Sequence, residues 1–322
     1  MRAQLTPVRR IAFAVLFAVA ADGPARADAA PAWIEQPVAS GPLQGTLARP
    51  AGESAGIGVL ILAGSGPVDR DGNLPGAASD TLKLLARGLA ARGIAALRID
   101  KRGVAASSGS ALREEDLRFD TFVDDAVAWL GVLRAQPGIA SVALIGHSEG
   151  ALVATMAARR TDVTALVLLA GASEPPPLII ARQLAAAGLP APLQEASRRI
   201  SDRLAAGELV PDAPAELAAL YRPGVQPYLV SWFRLDPARE LAKVAAPVLI
   251  VQGTTDLQIA VDDAERLAAA RPDAELMVVD GMNHILKDAP PDRAANLATY
   301  ADPSRPLSAA VVPAIARFLK AR

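Results

Sequence analysis

The chain has 322 residues, a formal net charge of −1, 52% hydrophobic and 21% charged residues, and no cysteine. This composition supplies enough apolar surface for one large core, and it excludes disulfides and a lipid-modified N-terminal cysteine. The charge balance has no basic bias, which argues against a nucleic-acid partner.

Arg2, Arg9 and Arg10 precede an apolar run at 11–21, followed by two small-x-small sites, Ala25-Arg26-Ala27 and Ala27-Asp28-Ala29. The pattern reads as a secretory signal peptide over residues 1–27, with an apolar part too short to span a membrane comfortably. The expected product is residues 28–322, periplasmic or secreted, with no stable membrane anchor after cleavage. An uncleaved anchor is the alternative. Arg9-Arg10 resembles a twin-arginine signal, but Ile11-Ala12 fits that route poorly, so general export is favoured.

Beyond the signal, strand and helix patterns alternate as a doubly wound α/β sheet requires. Residues 43–47 open the sheet. The apolar run at 57–63 reads as a buried strand, with Gly64-Ser65-Gly66-Pro67 as the loop beyond it. Asp69-Arg70-Asp71-Gly72-Asn73 superficially suggests a calcium loop. Its glycine comes fourth, however, and Asp80 stands twelfth, where an EF-hand needs glycine sixth and glutamate twelfth. Charge pairing and turn-making fit that loop better, and no metal is expected. Residues 80–91 read as a helix with Leu82, Leu85 and Leu89 on its apolar side, 94–99 as a strand and 119–134 as a second helix.

The run at 141–145 is another buried strand, and 151–158 can continue as a helix. Between them stands Gly146-His147-Ser148-Glu149-Gly150. A Gly-x-Ser-x-Gly between strand and helix is a nucleophile elbow, in which the serine occupies a strained turn and the glycines permit close approach. Ser148 is therefore the candidate nucleophile. A negatively charged tetrahedral intermediate needs donors, and the backbone N–H groups of Glu149 and Ser65 are the candidate oxyanion hole.

A strand at 163–169 follows, and then the alternation stops. Residues 174–243 open on Pro175-Pro176-Pro177 and carry helical patterns at 178–187, 193–206 and 215–221. Tyr221, Tyr228, Trp232 and Phe233 lie within this insertion. They either line an apolar substrate pocket or pack the insertion onto the sheet.

The sheet pattern resumes at 247–253, and Asp256 falls just beyond that strand. Asp262 and Asp263 are rivals for its role, but they open the next helix, where carboxylates favour the N-terminal dipole. After the apolar run at 274–279 comes His284. The chain has two histidines, and His147, adjacent to the serine within the elbow, should point away from it. His284 is therefore the candidate base, and Asp256 the carboxylate that orients it.

These residues give the chain a resemblance to the α/β-hydrolase superfamily of serine esterases and lipases. It is most similar to small bacterial carboxylesterases in which Gly-Ser-Gly-Pro and then Asp-Arg-Asp-Gly-Asn follow the third strand, here Gly64 to Pro67 and Asp69 to Asn73. The likeness runs from about residue 43 to the C-terminus, less recognisably in the middle. Arg98-Ile99-Asp100-Lys101-Arg102-Gly103 is a further match, although Ala105 stands where many relatives have a glycine. The resemblance implies a mostly parallel eight-stranded sheet with helices on both faces, the chain order Ser148, Asp256, His284, a helical cap after the sixth strand, and no cofactor. It implies a serine hydrolase of small-molecule carboxylic esters, working through an acyl-enzyme, and the signal pattern makes it an exported one. A peptidase or amidase with the same triad is the rival, with Glu195 or Glu216 capturing a substrate amine. A non-catalytic binding module of this fold is the rival of another class.

Overall fold

The computed structural model describes residues 32–52 and 56–322; the expected signal peptide lies outside them. Eight strands form one sheet: β1 (Trp33–Ser40), β2 (Leu43–Pro50), β3 (Gly56–Leu62), β4 (Ala95–Ile99), β5 (Ile139–His147), β6 (Leu166–Leu169), β7 (Val248–Gly253) and β8 (Glu275–Val279). Their order is β1-β2-β4-β3-β5-β6-β7-β8. β2 runs antiparallel to both β1 and β4, and every other pairing is parallel. The mostly parallel eight-stranded sheet is as expected, but β1 opens it rather than residues 43–47. β1 lacks an apolar run and contains Pro37, which an edge strand tolerates because one side needs no ladder bonds.

The helices are α1 (Thr81–Ala90), α2 (Phe119–Arg134), α3 (Glu149–Ala158), α4 (Pro176–Ala186), α5 (Ala191–Ala205), α6 (Ala218–Tyr221), α7 (Gln226–Phe233), α8 (Pro237–Leu241), α9 (Val261–Ala270), α10 (Arg293–Ala298) and α11 (Val311–Lys320). Side chains alternate across each strand, so one chain segment feeds two cores. Leu60, Leu62, Leu97, Val142, Leu144 and Ile250 pack with α2 and α3. Val59, Ile61, Ala96, Ala143, Ile145 and Val251 pack with α1 and α11. Burial on both faces is why the central strands read as continuous apolar runs.

Strand order places the site. β4 lies on one side of β3 and β5 on the other, so the connections diverge at the C-terminal ends of β3 and β5. That divergence leaves the crevice where doubly wound sheets bind ligands. Leu62 pairs in register with Gly146. The Gly64–Gly66 loop and the Ser148 turn therefore leave the sheet side by side.

Between β6 and β7, helices α4 to α7 and the 3₁₀ turn before α6 build a core of their own from Ile180, Ile200, Leu204, Leu217, Tyr221, Leu229 and Phe233, whereas Leu241 of α8 packs into the sheet core beside α2 and α3. The expected helix at 215–221 is a 3₁₀ turn, Ala215–Leu217, followed by the short α6. α7 and α8 were not foreseen, being short; each carries a proline in its first turn, where the missing N–H costs nothing.

Candidate active site

Ser148 sits between β5 and α3 at φ 56°, ψ −122°. No side chain favours that conformation, and it persists because the surrounding backbone fixes it. A Cβ on Gly146 would lie 2.2 Å from the Gly150 carbonyl oxygen, and one on Gly150 would lie 2.4 Å from that of Leu62. Both glycines are thus required by close approach of strand to helix and of helix to the neighbouring strand.

His284 Nδ1 donates to Asp256 Oδ2 at 2.8 Å. With the Nδ1 hydrogen held there, the lone pair of the neutral ring is on Nε2. Asp256 in turn is immobilised: Oδ1 accepts from the N–H groups of Gln258 at 2.7 Å and Ile259 at 3.0 Å, and Oδ2 from Gln252 Nε2 at 3.1 Å. Burial opposes its ionisation, but His284 and these donors outweigh burial and hold the carboxyl below its usual range. Asp262 and Asp263 do not reach this pair. Asp263 is fully buried and accepts from the Ser173 N–H and hydroxyl and from Arg182, besides a 3.3 Å bond from the Ala260 N–H at the start of α9. It caps the helix, as the sequence suggests, and also ties the root of the helical insertion to α9.

His147 faces the site more closely than its position in the elbow suggests. Its Nε2 donates to the His284 carbonyl at 2.7 Å, and the two rings are 4.9 Å apart. Burial, reinforced by the adjacent imidazole, pulls His147 down to about 4, so it is neutral and serves as a donor that fixes the His284 backbone. The loop is held from behind by Asn283, whose Oδ1 accepts from Ile285 and Lys287 N–H groups while Nδ2 donates to Thr299. Gln252 and Asn283 were missed in the sequence because neither belongs to a recognisable motif.

Two cavities meet at Ser148. One, of about 180 Å³, is bordered by Gly64, Ser65, Ser148, His284, Ile285 and Tyr300. The other, of about 80 Å³, is bordered by Ser65, Ser148, Leu152, Ile179, Ile180 and Trp232. The N–H of Ser65 and that of Glu149, the first residue of α3, donate to no acceptor among the described residues. They are thus free to bind an oxyanion.

The four aromatics of the insertion divide. Trp232 borders the smaller cavity, and Tyr228 borders a third, of about 460 Å³, beside Glu149. Tyr221 and Phe233 do not contribute to a substrate site. Both are buried in the core of the insertion, where the Tyr221 hydroxyl meets Ser197 at 2.7 Å and Ser201 at 2.8 Å. Helical spacing separates these two from Trp232, a distinction invisible without the helix boundaries. The Asp69 to Asn73 loop is consumed internally: Asp69 accepts from Asp71 and Asn73 N–H groups, Arg70 pairs with Asp100, and Asp71 with Arg98.

Residues 59–299 match the model of the alpha/beta hydrolase family. The chain belongs to that family. Esterase EstD of Thermotoga maritima is 26% identical over 256 residues, 76% of this chain; the match spans 58% of the length of that relative. Among solved structures, Est1E from Butyrivibrio proteoclasticus with bound ferulic acid has a TM-score of 0.56 at 16% identity, covering 89% of this chain and 100% of that one. Proline iminopeptidase from Mycobacterium smegmatis has a TM-score of 0.53 at 16% identity, covering 89% and 98%. An esterase and an iminopeptidase share this α/β-hydrolase architecture, so the fold alone does not separate ester from amide chemistry.

Proposed function

We propose that this α/β hydrolase is an exported serine esterase of small carboxylic esters. The observation that carries the reading is the strained Ser148, bordering one cavity with Ser65 and His284 while Asp256 fixes the His284 tautomer. Ser148 Oγ attacks the acyl carbonyl as His284 Nε2 takes its proton. The Ser65 and Glu149 N–H groups hold the oxyanion. Collapse of the tetrahedral intermediate breaks the bond to the alcohol, which leaves with the proton from His284. Water, deprotonated by the same imidazole, then attacks the acyl-enzyme and releases the acid.

Because His284 protonates the leaving group, the alcohol belongs in the cavity that His284 borders. The acyl chain belongs in the apolar cavity of Leu152, Ile179, Ile180 and Trp232. Ester rather than peptide chemistry is supported by the fate of the acidic groups. Glu195 pairs with Arg198 and Arg199 on the outer face of the insertion, and Glu174, on the acyl cavity, pairs with Arg182 and Arg266. Glu216 borders neither cavity. None of the three is a free carboxylate positioned to capture an amine.

Matched aryl ester and anilide substrates test the reading. Turnover of the ester, its loss in Ser148→Ala, and labelling of Ser148 by a fluorophosphonate are expected. Faster cleavage of the anilide would transfer the assignment to an amidase, and labelling of the Ser148→Ala variant would remove Ser148 from it. Export predicts a mature N-terminus at Asp28 or Ala30, readable by mass spectrometry of the periplasmic or secreted protein.

A further inference from the structure

Lys101, on the loop after β4, takes no part in the chemistry above, yet its ammonium donates to the carbonyls of Gly64 and Gly66, each at 2.5 Å. These are the carbonyls on either side of Ser65. The Gly64 carbonyl and the Ser65 N–H belong to one peptide unit, and a planar trans peptide points the two in opposite directions. Anchoring that oxygen on Lys101 therefore aims the Ser65 N–H away from Lys101. The same peptide lies against the nucleophile turn, since a Cβ on Gly64 would stand 3.0 Å from Ser148 Cβ and 3.5 Å from its Oγ. A cation on the carbonyl also polarises the amide and makes its N–H a stronger donor.

We propose that Lys101 is a positioning residue of the oxyanion hole, holding and polarising the Gly64–Ser65 peptide so that the Ser65 N–H is preset for the tetrahedral intermediate. Glu149, source of the other donor, borders the same 460 Å³ cavity as Lys101 and Gly66. Its carboxylate favours the charged ammonium against the burial that disfavours it, and Lys101 likewise offsets the burial that raises Glu149. One ammonium thus couples the loop after β3 to the N-terminus of α3, the two halves of the hole.

The inference rests on the esterase reading, and its test separates the two. Lys101→Met should lower kcat on an aryl acetate by about 10- to 100-fold, short of the 10²–10³ lost with a whole oxyanion donor, and leave KM within about twofold. Inhibition by an aryl boronic acid, which becomes tetrahedral on Ser148, should weaken by the same factor as kcat. Lys101→Arg, which keeps a cationic donor, should recover part of the loss. Backbone ¹⁵N order parameters at Ser65 and Gly66 should fall in Lys101→Met whether or not the wild type turns over esters. An inert wild type would thus defeat the esterase reading while the order parameters still report on the loop. A folded Lys101→Met with unchanged kcat, boronate affinity and order parameters would overturn the proposal, as would a loss expressed only in KM.

Discussion

At the scale of single residues, the two histidines show how position sets chemistry. His284 has a carboxylate on Nδ1, whereas His147 spends Nε2 on a backbone carbonyl. His284→Ala should cost roughly 10⁴-fold or more in rate, the scale of a triad member. His147→Gln, which keeps an N–H donor, should cost far less; equal losses in two folded proteins would overturn this division. His147 also leaves a signature in stability. Its native value of about 4 lies below the value of about 6.5 for an unfolded imidazole. Between those values the unfolded chain binds a proton that the native chain refuses, so this contribution is full above the unfolded value and lost as pH falls through the window. The shift is worth about 3 kcal/mol. Denaturant unfolding across that window should show a flatter pH dependence for His147→Gln than for wild type, and equal slopes would refute it.

At the scale of elements, turns carry opposite demands on side-chain size. Ala105 adopts φ 45°, a left-handed conformation that an alanine resists. The sequence flagged this position because relatives carry glycine there. Ala105→Gly should stabilise the protein by about 0.5–1 kcal/mol, the relief of strain exceeding the added flexibility of the unfolded chain. Chemical denaturation measures it, and a loss of stability would contradict the strain. Gly150→Ala is the converse. Its Cβ would meet the Leu62 and Ala63 carbonyl oxygens at 2.4 and 2.6 Å, both rigid backbone. A cost of about 3 kcal/mol or more is expected, at the upper end for overpacking, and a stable, active variant would show that α3 shifts freely.

At the scale of the molecule, the insertion between β6 and β7 is seated through Trp232 and its neighbours. Trp232 stacks on Phe119 of α2 with centroids 6.5 Å apart and planes 3° apart, and the Phe119 N–H donates to Ser231 at 2.8 Å. The same indole borders the cavity beside Ser148. Packing and pocket lining, alternatives in the sequence, thus meet in one side chain. Trp232→Ala should lower stability by about 2 kcal/mol, below the roughly 3–5 kcal/mol of a fully buried aromatic because it is only half-buried. It should also move acyl-chain preference toward longer esters by about 1–3 kcal/mol per methylene-sized contact. Melting temperature and a chain-length series on one variant check both; an unchanged series would remove Trp232 from the acyl site.

What the sequence determined by itself was local. Apolar runs bounded by glycine and proline marked the central strands, and the elbow glycines announced the turn at Ser148. Scarcity narrowed the candidate base to His284, because the sequence offers two histidines to choose between. Edge strand β1 was not legible, since a strand half exposed to water needs no apolar run. The sequence already favoured Asp256 over Asp262 and Asp263; the contact it makes with His284, which of four aromatics reaches the cavity, and what Lys101 holds were decided by tertiary structure. Those relations join residues far apart in the chain, as His284 joins Asp256 and Lys101 joins Gly64. Strand order sets them, and strand order follows from how helices cover both faces of the sheet.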